Sequence, residues 1–232
     1  MLVPVTISSY IWYTGAPTQT TPQEGLPEVT YYNASIDYRM IAFWTDEIPV
    51  IDGVINESAW NGVGIYSFRN DIRDITVWAS MDADNLYVAV LSHNDTTPNA
   101  LDGCQIYFDS GHNETTLPDT NDKMARRRYD GTTTYYKGNG TDWSQVTPPP
   151  ASNCTTNCSL TNGSLSWEFK VPLKYMNDYG LFNSTDDYIG FGVHVYDRDG
   201  SPRHHTFFPD AYDNKSLRPL LLQNARPLGR FV

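Results

Sequence analysis

Few residues in this sequence have a type and spacing that could do chemistry, and most of those are carboxylates in turns. DADN (82–85), DSGHN (109–113), DTND (119–122) and DRDG (197–200) place Asp82, Asp84, Asp109, Asp119, Asp122, Asp197 and Asp199 in oxygen-rich loops. Calcium takes six to eight oxygen ligands from loops of this kind. None of the four completes an EF-hand, and Asx turns use the same residues. No cofactor is required by the sequence, and calcium is the one candidate. Cys154 and Cys158 stand three apart in NCTTNCS. In an oxidising compartment that spacing predicts a small disulfide loop. A zinc site would need further ligands nearby. Cys104, in DGCQIYFD, alternates with strand residues and reads as a buried thiol. His204-His205 is the only histidine pair and reads as a loop pair facing carbonyls or solvent. G-x-S-x-G, HExxH, a phosphate loop and CxxCH are all absent, so the reading is a non-catalytic protein.

Charge and sequons narrow the compartment and the partners. Asp plus Glu total 27 against 16 Lys plus Arg, a formal charge of −11. An acidic surface without a basic stripe argues against nucleic acid. No apolar run reaches the roughly 18 residues that span a bilayer. Ten of the 17 asparagines open N-x-S/T: Asn33, Asn56, Asn94, Asn113, Asn139, Asn153, Asn157, Asn162, Asn183 and Asn214. With 39 Ser plus Thr in 232 residues, chance would give about 3. The density predicts covalent N-glycans and an extracellular or cell-surface location, in keeping with an archaeal or eukaryotic surface protein.

The elements that must position these residues are strands. Short alternating runs bounded by Gly, Asn, Asp and Pro occur at 75–82, 85–95, 103–111, 132–140, 164–173 and 188–200. Turn signals separate them. The pattern predicts an all-β antiparallel sandwich, jelly-roll or immunoglobulin-like, over 39–232. ESAWNG, near Trp60, predicts a short helical turn, and VPLKYMND a second one. MARRRYDG predicts a strand whose Arg126–128 run pairs with carboxylates or meets an acidic neighbour.

The order of pieces is itself informative. IPVIDGVINESAW leads to VWASMDADNLYVAVLSHND, DGCQIYFDSGHN, YYKGNGTDW, LSWEFKVPLKYM, IGFGVHVYDRDG and FFPDAYDN. This resembles the family 9 carbohydrate-binding module and the wider DOMON-like β-sandwich superfamily over about residues 43–222. The resemblance implies two packed antiparallel sheets, with Trp60 and Trp167 as core anchors. It also implies sugar held between two Trp rings. Here Met81 precedes Asp82 where the family carries Trp, and Phe207 or Phe208 aligns with the second Trp, which weighs against family-like sugar binding. Trp78, Trp143 and Tyr136 could build a different platform. Some DOMON-like relatives bind haem b through Met with His or Lys. By type alone the candidates are Met81, Met124, His204 and Lys170.

The first thirteen residues, MLVPVTISSYIWY, lack the basic start and continuous apolar core of a signal peptide. Val3, Val5 and Ile7 share one face of a strand, with Tyr10 further along. Residues 14–38 begin as a Thr/Pro-rich linker whose fifteen-residue stretch reaches on the order of 45 Å. The primary reading is therefore a structural subunit of a surface filament or layer. In it residues 1–13 donate a strand to the next copy, as in donor-strand pili, giving a head-to-tail homopolymer. The alternatives are a monomeric carbohydrate-binding module, with glycans as partners, and a haem-binding DOMON domain.

Overall fold

The computed structural model describes residues 40–61, 64–69, 74–109, 117–146, 154–173, 188–199, 204–208 and 218–222. Residues 1–39, with the expected donor strand and linker, lie outside them, as do residues 174–178 of VPLKYMND, whose Val171 and Pro172 end a strand. Thirteen strands form a β-sandwich. The first sheet runs β8 (Trp143–Val146), β7 (Thr133–Gly138), β6 (Asp122–Arg128), β5 (Gly103–Asp109), β11 (Tyr188–Asp197), β13 (Arg218–Leu222) and β1 (Met40–Trp44). β12 (His204–Phe208) continues alongside β11 beyond β13. The second sheet runs β1, β3 (Asp74–Met81), β4 (Asn85–Ser92), β10 (Ser164–Pro172) and β9 (Thr155–Thr161), with β2 (Gly64–Arg69) beside β3. β1 joins both sheets. Met40–Ala42 pairs with β13 and Phe43–Trp44 with β3. Both of these pairings are parallel, an exception to the antiparallel expectation.

Alternation decides which side chains enter the core. Ile75, Val77, Ala79 and Met81 of β3 face inward with Leu86, Val88 and Val90 of β4 and Leu165, Trp167, Phe169 and Val171 of β10. Cys104, Ile106, Phe108, Ile189, Phe191, Val193 and Val195 of the first sheet meet them. Phe108 and Phe191 are cross-strand partners with ring centroids 5.7 Å apart. Each large side chain buried here contributes roughly 1.5–3 kcal/mol. Trp60 and Trp167 are both fully buried, as the sequence predicts. The β9–β10 hairpin turns on Asn162-Gly163, both with positive φ, the Asn-Gly signature of a two-residue turn.

Residues 51–60 cover the outer face of the second sheet, ending in a one-turn 3-10 helix at Ser58–Trp60. Ile55 and Trp60 pack on Trp78, Tyr87, Ala89 and Leu91. Glu168, on that face of β10, fixes the segment. Its Oε2 accepts the backbone N–H of Asp52 (3.0 Å) and Gly53 (2.7 Å), and its Oε1 accepts the Trp60 indole N–H (3.1 Å). The Ser166 hydroxyl donates to the Gly53 carbonyl at 2.5 Å. Gly53 has φ +91°, and a Cβ there would lie 2.5 Å from the Cys158 backbone, so only glycine fits.

The disulfide expected between Cys154 and Cys158 does not form; all three cysteines are free thiols. CTTNCSL is not a loop but the residue before β9 and the strand itself. Residues four apart along an extended strand are roughly 13 Å apart, and a disulfide tolerates at most about 7 Å between Cα atoms. Both thiols instead pack against the core. β9 is tied across the sandwich to β6 and β7. Arg127 donates to the Asn157 side-chain oxygen (3.2 Å), the Tyr135 hydroxyl donates to the Cys154 carbonyl (3.0 Å), and the Thr133 and Thr156 hydroxyls meet at 2.9 Å.

Burial raises the pKa of Glu168 to about 8; the Gly53 N–H opposes the shift, the charges of Glu57 and Asp52 add to it, and the Trp60 N–H opposes it. The folded value lies above the ordinary 4.5. The group's contribution is therefore complete below about pH 4.5 and is lost as pH rises through about 8. Denaturant unfolding across that window should show wild type losing more stability than Glu168→Gln; parallel curves would contradict the assignment. Glu168→Ala leaves the Gly53 N–H without its acceptor, while the Asp52 N–H keeps the Val50 carbonyl and the Trp60 indole keeps Glu57, and should cost about 1–3 kcal/mol at neutral pH. Alkylation after denaturation without reductant should label three thiols, whereas a single labelled thiol would restore the disulfide.

Candidate functional site

The outer face of the first sheet carries polar and aromatic side chains together: Gln105, Tyr107, Met124, His194 and Tyr196 are buried there, and Arg126, Arg128, Tyr136 and Trp143 are half-buried. Register arranges them in rows across the strands. One row runs Tyr196, Gly103, Arg128. The next runs His194, Gln105, Arg126, Thr134. A third runs Gly192, Tyr107, Met124, Tyr136, Gln145.

The aromatic part lies in the third row. Tyr107 and Trp143 meet edge to face with centroids 5.6 Å apart, and Met124 and Tyr136 pack with them. Trp143 and Tyr136 are half-buried, so ring surface stays open at the rim. The polar part is the second row. Gln105 Oε1 accepts the Tyr107 hydroxyl at 2.5 Å and lies 2.8 Å from His194 Nδ1, which therefore carries the proton. This fixes the Gln105 carboxamide, whose amide nitrogen has no protein partner among the described residues. Arg126 donates from Nε to the Thr134 hydroxyl at 2.8 Å and lies over the Tyr136 ring at 5.1 Å. Its orientation is thus set from two sides.

The first row carries more cation. The Tyr196 ring lies across Gly103, where a Cβ would fall 2.4 Å from the phenol oxygen. His194 packs on Tyr196 with centroids 5.3 Å apart, and Arg198 lies over the same ring at 5.6 Å. Burial raises the Tyr196 phenol pKa, and the neighbouring Arg128 and Arg126 guanidiniums work against it.

The carboxylates predicted as calcium ligands separate into distinct environments. Asp82 is consumed by its own turn: its oxygens accept the N–H groups of Asp84 (2.7 Å) and Asn85 (2.6 Å) and the Tyr87 hydroxyl (2.5 Å). Burial would raise its pKa, but the Tyr87, Asp84 and Asn85 bonds together hold it below the ordinary value. Asp84 sits in the same turn. Asp109 and Asp122 are cross-strand partners at the far end of the first sheet, and Asp119 donates its N–H to Asp122 at 2.7 Å. None of these five enters a three-carboxylate group among the described residues. Asp197 and Asp199 do, joined by Asp95, which the sequence reading missed; one ligand oxygen from each lies within 4.8 Å of the others. The Thr97 hydroxyl donates to Asp199, and the Asp199 N–H donates to Asp197 at 2.8 Å. Asp102, fully buried beside them, is raised in pKa by burial, against the bonds from Asn99 and Arg198, with Asp197 and Asp199 adding to the rise. This oxygen-only set suits a hard divalent cation.

Other expected residues fall apart. Trp78 is buried under residues 51–60 rather than exposed as a platform. The haem candidates do not converge: Met81 is in the core, Met124 on the outer face of the first sheet and Lys170 on the outer side of β10. Phe207 stands opposite His194 in the ladder, Phe208 opposite Val193, and His204 opposite Asp197. Arg126–128 form a strand as expected, but Arg126 bonds to Thr134 and Arg127 to Thr133, Gly131 and Asn157 rather than to carboxylates, and Arg128 neighbours Tyr196. Of the sequons, Asn56, Asn94, Asn139 and Asn162 are exposed and Asn157 is half-buried; Asn33, Asn113, Asn153, Asn183 and Asn214 lie outside the described residues.

Comparison with known proteins identifies the family of this sandwich. The family described as Carbohydrate family 9 binding domain-like matches residues 51–230, and the chain belongs to it. Two solved structures are similar in fold. One is a family 9 carbohydrate-binding module from Caldicellulosiruptor kristjanssonii in complex with glucose, with 16% identity over 80% of this chain and 95% of that one, TM-score 0.59. The other is a module of the same family and organism in complex with cellotriose, with 17% identity over 79% and 93%, TM-score 0.58. Comparison with the curated proteins finds no match.

Proposed function

We propose that this chain is a non-catalytic glycan-binding module whose ligand lies on the outer face of the first sheet, between Trp143 and Tyr196. The observation that carries the reading is the meeting of two surfaces on one sheet. The Tyr107, Tyr136 and Trp143 rings adjoin the fixed Gln105–His194–Arg126 row. Sugars present C–H faces that stack on rings and hydroxyls that need fixed donors and acceptors. Membership of the carbohydrate family 9 group supports the same reading. Self-assembly through Val3, Val5, Ile7 and Tyr10 concerns residues outside those described, so it ranks second to glycan binding.

Two further elements belong to the proposal. A calcium ion held by Asp95, Asp197 and Asp199, with backbone oxygens and water completing its shell, would pin the end of β11 to the loop after β4. Exposed sequons support N-glycans and an extracellular setting, with sugars displayed on turns rather than on the binding rows.

Titration calorimetry with cellotriose is the first test. Trp143→Ala should weaken binding by at least about tenfold with little change in melting temperature, because its ring is half-exposed. Unchanged affinity would remove the face from the proposal. For calcium, EGTA should lower the melting temperature of wild type by several degrees and leave Asp197→Asn unmoved; identical melting with and without EGTA would dismiss the ion.

A further inference from the structure

Arg126, Arg128 and Arg198 all border the proposed ligand face, in a chain whose formal charge is −11. Two of the guanidiniums lie on tyrosine rings: Arg126 on Tyr136, Arg198 on Tyr196. Arg128 shares the Tyr196 row. Among the described residues none of the three forms an ion pair with a carboxylate. Arg198 approaches Asp102 only through its backbone N–H, at 2.6 Å. Arg126 goes furthest toward a recognition geometry. Its Nε is tied to Thr134 and its face to Tyr136, and its two terminal nitrogens have no protein partner among the described residues. A guanidinium held in this way matches a planar two-oxygen anion in bidentate fashion.

Resting on the glycan-binding reading, we propose that the ligand is an acidic glycan, one whose sugar carries a carboxylate that Arg126 takes, with Arg128 and Arg198 supplying the surrounding positive potential. The rings then bind the sugar's C–H face, Gln105 and His194 meet its hydroxyls, and Arg126 selects for the uronate. A neutral sugar would leave the fork facing hydroxyls, which match it less well than a carboxylate. Charge-assisted recognition at a half-exposed site weakens with salt.

The test compares β-1,4-linked triglucuronate with cellotriose, chains of equal length that differ in the carboxylate. Both are titrated into the full chain by calorimetry at low and high sodium chloride. Triglucuronate should bind at least about tenfold tighter at low salt, and the preference should shrink as salt rises. Arg126→Gln should abolish the preference, costing triglucuronate at least about tenfold more affinity than it costs cellotriose. Arg126→Lys, which keeps the charge and loses the fork, should fall between, and melting temperatures confirm that both variants fold. Equal or tighter binding of cellotriose by wild type would overturn the acidic-ligand inference and leave the glycan-binding reading standing. A triglucuronate preference that survives Arg126→Gln would overturn the assignment to Arg126. Binding of neither trisaccharide would overturn both.

Discussion

Glu168 is the constraint on which the usable surface of this protein depends. A carboxylate on the outer side of a central strand would ordinarily require solvent. Here it is fully buried because residues 51–60 fold over it and supply three N–H donors. The segment in turn has no regular pairing of its own and is held by that carboxylate, by the Ser166 hydroxyl and by the close seat of Gly53 on β9. The consequence is asymmetry. One outer face becomes a second core around Trp60, Trp78 and Tyr87, and the opposite face of the sandwich is where we place the ligand.

On that opposite face the physics is different. Rings, amides and guanidiniums there hold one another in place. Tyr107 touches Trp143 with its ring and Gln105 with its hydroxyl; Gln105 meets His194; His194 packs on Tyr196. A chain of contacts of this kind fixes donor directions before any ligand arrives, and such pre-organisation lowers the entropic cost of binding. Gly103 takes part by omission, since any side chain there would displace the Tyr196 ring. The acidic cluster of Asp95, Asp197 and Asp199 sits at the end of β11, the strand that carries His194 and Tyr196. Stability at that cluster and geometry at the site are therefore linked through one strand.

Much of this was legible in the sequence, for identifiable reasons. Trp167 sits in the alternating run 164–173, and the family resemblance marks both it and Trp60 as core anchors. The order of the motifs resembles the family to which the chain belongs. β9 was misread because an edge strand rich in Thr, Asn and Cys has no apolar alternation and resembles a loop. β8 and β13 were passed over for want of length. Gln105 and His194 escaped notice because each stands singly in an apolar strand, in GCQIYFD and GVHVYD. Their polarity at matching positions was the available signal, but only the register of β5 against β11 shows that they face each other. Trp78 was offered as a platform because no sequence pattern reveals that residues 51–60 close over it. Asp95 joined Asp197 and Asp199 across more than a hundred residues, which no local spacing could disclose.

The central claim is the location of the ligand, and backbone amide NMR with added cellotriose and triglucuronate tests it most directly. The account requires shift changes concentrated at Gln105, Tyr107, Arg126, Tyr136 and His194 and at the Trp143 indole N–H, with residues 51–60 and the Trp60 indole unmoved. Changes centred on residues 51–60 or on the outer side of β10, with the first sheet silent, would contradict it.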